Sequence, residues 1–179
     1  MSLKPRKDRI DSNAEKMDLF LPIGHFSIFK INNESQNNSH SIVIHGLGSC
    51  VALILYDLKN NVGGISHILL PNSRGKDAEY PHKYANLAVP DLIKEIIKFG
   101  GNRQNLKAII LGGSNIFDDP NNLIGTENSE KIVKELEDFS IPIFRKDIGG
   151  KLGRVVILNT KNLHVLVKKT GEDNFEKLM

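Results

Sequence analysis

The chain has one cysteine, Cys50, and its setting is unusual for a core residue. The segment GLGSC places Gly46 and Gly48 just ahead of it, and the aliphatic run VALILYD follows at once. A thiol at such a loop-to-strand junction can sit at the edge of a rigid sheet, with backbone N–H groups nearby to receive an oxyanion. Its natural companion is His67 in GGISHILL. The β-branched and aliphatic runs predict strands over 51–57 and 62–70, joined by a turn at Lys59-Asn60-Asn61. If they form a hairpin, Cys50 and His67 meet across the ladder, with Gly63-Gly64 leaving room near the imidazole. A Cys-His pair suits nucleophilic catalysis: the imidazole takes the thiol proton and later delivers it to a leaving nitrogen.

The competing reading of Cys50 is a small buried hydrophobe, and that of His67 a satisfied buried imidazole. The other histidines carry less chemistry. His25 lies in the apolar stretch FLPIGHFSIF, His40 in a polar loop, His82 near a helix start, and His164 in a final strand. His45, five residues before Cys50, is near enough in sequence to reach it. With one cysteine and neither HxH nor HExxH, a zinc site is not expected. GLGSC lacks the spacing and the lysine of a phosphate loop, LGGSN reads as a strand entering a turn, and Asp118-Asp119 before a proline reads as exposed loop.

The elements that must position the pair follow the same patterns. Ala85, Ala88, Val89, Leu92, Ile93, Ile96 and Ile97 recur three and four apart, predicting a helix that Pro90 either kinks or divides and Gly100-Gly101 ends. LKAIILGG reads as a strand, 129–139 as a second helix, and IPIFRKD, RVVILN and LHVLVKK as three more strands, the last two a hairpin around Asn159 to Asn162. Directly joined strand pairs argue for an α+β fold with a largely antiparallel or mixed sheet. We expect one domain over 19–170, a flexible leader over 1–18, a polar loop over 32–41 and a tail over 171–179.

Composition narrows the function classes. The 179 residues carry 24 basic and 21 acidic side chains, interspersed for a net charge of +3, with 6% aromatics and no tryptophan. Neither a nucleic-acid surface nor a base-stacking platform is expected. One cysteine excludes a disulfide framework within the chain and suits a reducing compartment. The polar beginning has no signal-peptide pattern, and no apolar run approaches the ~20 residues of a membrane span. A cytoplasmic location is the expectation.

GLGSCVALILYD, GGISHILLP, HKYAN, LGGSNIF, LIGTEN and DIGGKLGR, in this order, resemble the chemoreceptor glutamine deamidase family, CheD. The resemblance implies a single-domain α/β/β sandwich related to the catalytic core of glutamine-deamidating toxins. It also implies cofactor-independent hydrolysis of glutamine side chains to glutamate on methyl-accepting chemotaxis receptors, and in many systems binding to a CheC-like phosphatase. Residue by residue, Cys50 matches the family nucleophile and His67 the base and acid. The sequence departs from the family at Ile44, where a threonine usually completes the triad. Orientation of His67 must then come from a backbone carbonyl, water, or a polar residue such as Ser41 or His45. Gly149-Gly150 is followed by Lys151 where Asn is common, with Arg154 retained, and this loop is expected at the mouth of the site. The alternatives are a weakly active or inactive adaptor built on the same fold, and a cysteine amidase acting on small molecules.

Overall fold

The computed structural model describes residues 17–31, 40–73, 75, 80–116 and 123–179. Its strands are β1 (Met17–Phe20), β2 (Phe26–Lys30), β3 (His40–Leu47), β4 (Val51–Asp57) and β5 (Val62–Ile68), then β6 (Lys107–Gly112), β7 (Ile143–Ile148), β8 (Arg154–Asn159), β9 (Val165–Lys169) and β10 (Glu176–Lys177). Helix α1 (Ala85–Lys98) precedes β6 and helix α2 (Ile124–Asp138) follows it. The strands form two five-stranded sheets, ordered β1-β3-β8-β9-β10 and β2-β5-β4-β6-β7. Both are mixed: β1 runs parallel to β3 and β7 parallel to β6, while the remaining pairs are antiparallel.

Strand β4 shows why the sheets and helices stack in three layers. All seven of its residues are buried, and alternation sends them to opposite sides. Val51, Leu53 and Leu55 join the core under α1 and α2, whereas Cys50, Ala52, Ile54 and Tyr56 join the core between the two sheets. The sheet containing β4 is thus the middle layer, with helices on one face and the second sheet on the other. This is an α+β domain with an α/β/β layering.

The glycine pair of β5 serves packing rather than the imidazole. A side chain at Gly63 would strike the ring of Phe29 on β2, and one at Gly64 would meet Ile28 and Leu92. The space expected beside His67 is therefore filled by neighbouring apolar groups.

Helix α1 is one continuous helix through Pro90. Loss of one backbone bond there costs about 3 kcal/mol, and the buried stripe from Ala85 to Ile96 outweighs it by holding the helix to the sheet. Ile97, predicted on that stripe, is 43% exposed. The helix ends at Gly100, whose φ of +104° allows Gly100 and Gly101 to donate back to Ile97 and Ile96.

Helix α2 begins at Ile124, five residues before the predicted start. Its first buried face consists of Gly125, Asn128 and Ser129, which have helical spacing but no apolar signal. A side chain at Gly125 would collide with the carbonyls of Gly113 and Ser114, so glycine lets α2 approach the turn after β6.

The boundaries also differ from expectation at both ends. Residues 1–16 of the expected leader lie outside the described residues, and Met17 and Asp18 already pair with β3. At the other end Glu176 and Lys177 pair with β9, and Leu178 and Met179 pack against the inter-sheet core. Most of the expected polar loop, 32–39, and the Asp118-Asp119 pair lie outside the described residues, while His40 and Ser41 open β3.

Candidate active site

Cys50 immediately precedes β4, and His67 is the sixth residue of β5. The antiparallel register pairs Val51 with Ile68 and Ala52 with His67. Cys50 is two residues before Ala52, so it and His67 occupy diagonal positions on the same face, with backbones about 7–8 Å apart in an ordinary ladder. That face points between the sheets: Cys50, Ala52 and Ile65 all belong to the inter-sheet core. Cys50 is only 7% exposed and His67 3%, so both are more buried than a solvent-reached junction would suggest.

The His67 ring is oriented by the main chain. Its Nδ1 lies 3.1 Å from the carbonyl oxygen of Leu21. A carbonyl can only accept, so Nδ1 carries the hydrogen, which leaves the Nε2 lone pair unprotonated in the neutral ring. Nε2 is buried and has no hydrogen-bond partner among the described residues. Leu21 is itself well held, because its side chain is fully buried and its N–H donates to the Val43 carbonyl at 2.9 Å. The same loop grips the His67 backbone: His67 N–H donates to His25 and Gly24 N–H donates to the His67 carbonyl.

Of the acceptors open to His67 in place of the threonine hydroxyl, a backbone carbonyl, that of Leu21, takes the role. Ile44 is fully buried in the inter-sheet core and cannot accept a hydrogen bond. Ser41 and His45 are the second and sixth residues of β3, whereas Ile42 and Ile44, the third and fifth, fill the inter-sheet core, so alternation turns both toward the outer face. Ser41 lines a cavity there with Asp18, Asn159 and His164, and exposed His45 stacks on Phe20. Neither takes the substitute role predicted for it.

Electrostatics favour a neutral pair in the resting site. Burial pushes the Cys50 thiol above its ordinary value, an effect its own backbone N–H partly offsets. Burial also pushes the His67 imidazole down; the Leu21 hydrogen bond opposes this shift and nearby His25 adds to it. Both shifts favour the uncharged forms, thiol and imidazole.

Around Cys50 the backbone is fixed from three sides. Gly113 N–H donates to the Cys50 carbonyl at 2.8 Å, and Ser114 N–H to the Gly48 carbonyl at 2.9 Å. Gly112 and Gly113 adopt φ values of +106° and +63°, and a side chain at Gly112 would run into the Cys50 carbonyl. On the third side, Asn128 of α2 donates from Nδ2 to the carbonyls of Ser49 and Leu69.

The loop expected at the site mouth buttresses this turn. Gly149 N–H donates to the Gly112 carbonyl, and the Gly150 carbonyl accepts from Asn115 N–H. Arg154 is buried, forms a two-pronged ion pair with Asp147 at 2.8 and 3.0 Å, and donates to the Ser114 hydroxyl and Gly149 carbonyl. The guanidinium holds the Asp147 carboxyl below the usual carboxylate range. Arg154 is thus a structural anchor, while Lys151 and Leu152 are exposed at the loop tip.

The remaining histidines are placed elsewhere. His82 is buried between Ser66 and Asp91 on the helix side, stacked on Phe26. His25 contacts the Ile23 carbonyl, and exposed His164 contacts Lys177. Among the described residues no cluster of three or more His, Cys, Asp or Glu side chains is arranged to hold a metal ion. No helix among them is long and apolar enough to cross a membrane.

Sequence reasoning missed Leu21 and Asn128. A carbonyl acceptor has no signature in the sequence, since every residue carries one. Asn128 lies in LIGTEN, at helical spacing from Gly125 and Ile132, and that small-polar stripe is the available signal.

Comparison with known proteins places the chain in a family. A family model described as CheD chemotactic sensory transduction matches residues 69–169, beginning just after His67. A probable chemoreceptor glutamine deamidase CheD from Clostridium kluyveri is 42% identical over 137 residues, which cover 74% of this chain and 85% of that protein. The chemoreceptor glutamine deamidase CheD of Thermotoga maritima is 37% identical over 155 residues, 87% of this chain and 94% of that protein. A stretch of that length takes in both Cys50 and His67. On the family model and these relatives, the chain belongs to the CheD family.

Proposed function

We propose that this protein hydrolyses glutamine side chains of methyl-accepting chemoreceptors to glutamate, with Cys50 as nucleophile and His67 as general base and acid. The observation that carries the reading is the tautomer-fixing bond from His67 to Leu21, which leaves Nε2 as a free acceptor on the face shared with Cys50. As the sulfur attacks the carboxamide carbon, the thiol proton passes to Nε2. Proton transfer concerted with attack suits a pair that is neutral at rest. Backbone N–H groups around Cys50 stabilise the tetrahedral oxyanion. The imidazolium then gives its proton to the departing nitrogen, and ammonia leaves a thioester on Cys50. Water, deprotonated by His67, attacks the thioester and releases glutamate with the thiol restored. The sequence of steps is redox-neutral.

An inactive adaptor draws its support from the missing hydroxyl at Ile44. The Leu21 carbonyl supplies the acceptor that position lacks and so weakens that alternative. The test is incubation of the purified protein with cytoplasmic fragments of its own organism's receptors, followed by peptide mapping. Conversion of particular glutamines to glutamate, dependent on the protein, is expected; unchanged glutamines across all receptors would overturn the proposal.

A further inference from the structure

Asn128 has a bonding pattern that stability alone does not explain. It is fully buried on the first face of α2, and both Nδ2 hydrogens are committed, to Ser49 O and Leu69 O at 2.9 Å each. Two carbonyls call for the NH2 group, so its partners determine how the amide is turned. Its Oδ1 is buried without a hydrogen-bond partner among the described residues, a destabilising arrangement by itself.

The two carbonyls it joins flank the proposed catalytic pair. Ser49 directly precedes Cys50, and Leu69, two residues beyond His67 and just past the end of β5, packs against the inter-sheet core that Cys50 joins. The β4–β5 ladder ends at the Val51–Ile68 pair, so Cys50 lies past the last rung, tied to the β6 side by Gly113 and, through Ser49, to the β5 side by Asn128. We propose that Asn128 is a positioning residue that clamps the open end of this hairpin and holds the Cys50 sulfur in line with His67 Nε2. The inference rests on the Cys50–His67 reading above. Asn128 does not touch substrate; it acts through the backbone on either side of the reacting groups. Loss of the clamp lets the Ser49–Cys50 segment drift from β5, and a misplacement near 1 Å lowers turnover by about 100-fold.

The test combines turnover with the pH profile of Cys50 alkylation by iodoacetamide in wild type, N128A, N128D and H67A. N128D keeps the shape but sets a carboxylate against two carbonyl oxygens. In both Asn128 variants kcat should fall by roughly 10- to 100-fold with KM within about twofold, and the alkylation profile should move toward that of H67A. Wild-type kcat and a wild-type profile in a folded N128A would overturn the clamp. Coincident profiles for wild type and H67A would instead overturn the Cys50–His67 pairing itself. If neither Asn128 variant folds, the Asn128 side-chain amide in wild type is followed by NMR. Slow hydrogen exchange at both Nδ2 positions, with shifts on Cys50 alkylation, supports the clamp, and fast exchange at either position overturns it.

Discussion

Replacing Ile44 by threonine restores the hydroxyl usual in the family, and we predict that it lowers stability without raising activity. Ile44 is fully buried in the inter-sheet core, opposite Val156 of β8. Trimming the aliphatic side chain costs about 0.5–1.5 kcal/mol, as for isoleucine to valine. Burying a hydroxyl without a partner adds roughly 1–3 kcal/mol. The combined loss of about 1.5–4.5 kcal/mol corresponds to a melting temperature lower by roughly 3–18 °C for a chain of this size. The His67 Nδ1 hydrogen is already taken by Leu21, so the new hydroxyl has no orienting role left to fill. Ammonia release from a receptor fragment, measured well below the melting transition, should stay within about twofold of wild type. A rate increase of about tenfold or more, with little loss of stability, would refute the reasoning. It would mean that the carbonyl holds the ring poorly and that the hydroxyl captures it.

Other perturbations separate chemistry from scaffold. C50A should abolish deamidation and shift the melting temperature by only a few degrees, since the thiol is a small member of the core; comparable turnover by C50A would remove the nucleophile assignment. Because burial depresses the folded-state pKa of His67, the unfolded chain binds its proton first on acidification. Its stabilising contribution is therefore complete above the ordinary imidazole value near 6.5 and is lost as pH falls through the lower folded value. Melting curves between about pH 5 and 8 should show this slope in wild type and a weaker one in H67F, and identical slopes would contradict it. R154A strands the Asp147 carboxylate and should cost about 3–5 kcal/mol by chemical denaturation. G112A should disrupt folding or activity far more than G149A: both glycines have positive φ, but only Gly112 faces a backbone atom, the Cys50 carbonyl, whereas nothing stands near Gly149.

Much of the scaffold around the pair is legible in the amino-acid sequence because hydrophobic alternation and turn residues report it directly. VALILYD and GGISHILL, with a turn at Lys59-Asn60-Asn61 between them, foretell the β4–β5 hairpin, in which Ala52 pairs with His67. RVVILN and LHVLVKK foretell β8–β9 in the same way. The parallel pairing of short β1 with β3 is not legible, because such a contact depends on tertiary placement rather than on a local pattern. The start of α2 escapes for a different reason: its buried face is made of glycine, asparagine and serine, chosen for close approach to the turn after β6. At the site, Cys50 and His67 are visible as residue types that carry chemistry. Leu21 is invisible because it contributes a carbonyl, and a search for a polar replacement leads to Ser41 and His45, which strand alternation turns away.

The central claim is that the acyl group of glutamine passes through the Cys50 sulfur. Hydroxylamine added during turnover competes with water for a thioester, converting the same glutamines to hydroxamates. The predicted result is hydroxamate at every glutamine that otherwise becomes glutamate, with wild-type protein and not with C50A. Glutamate alone in the presence of excess hydroxylamine, or hydroxamate formed by C50A, would contradict it.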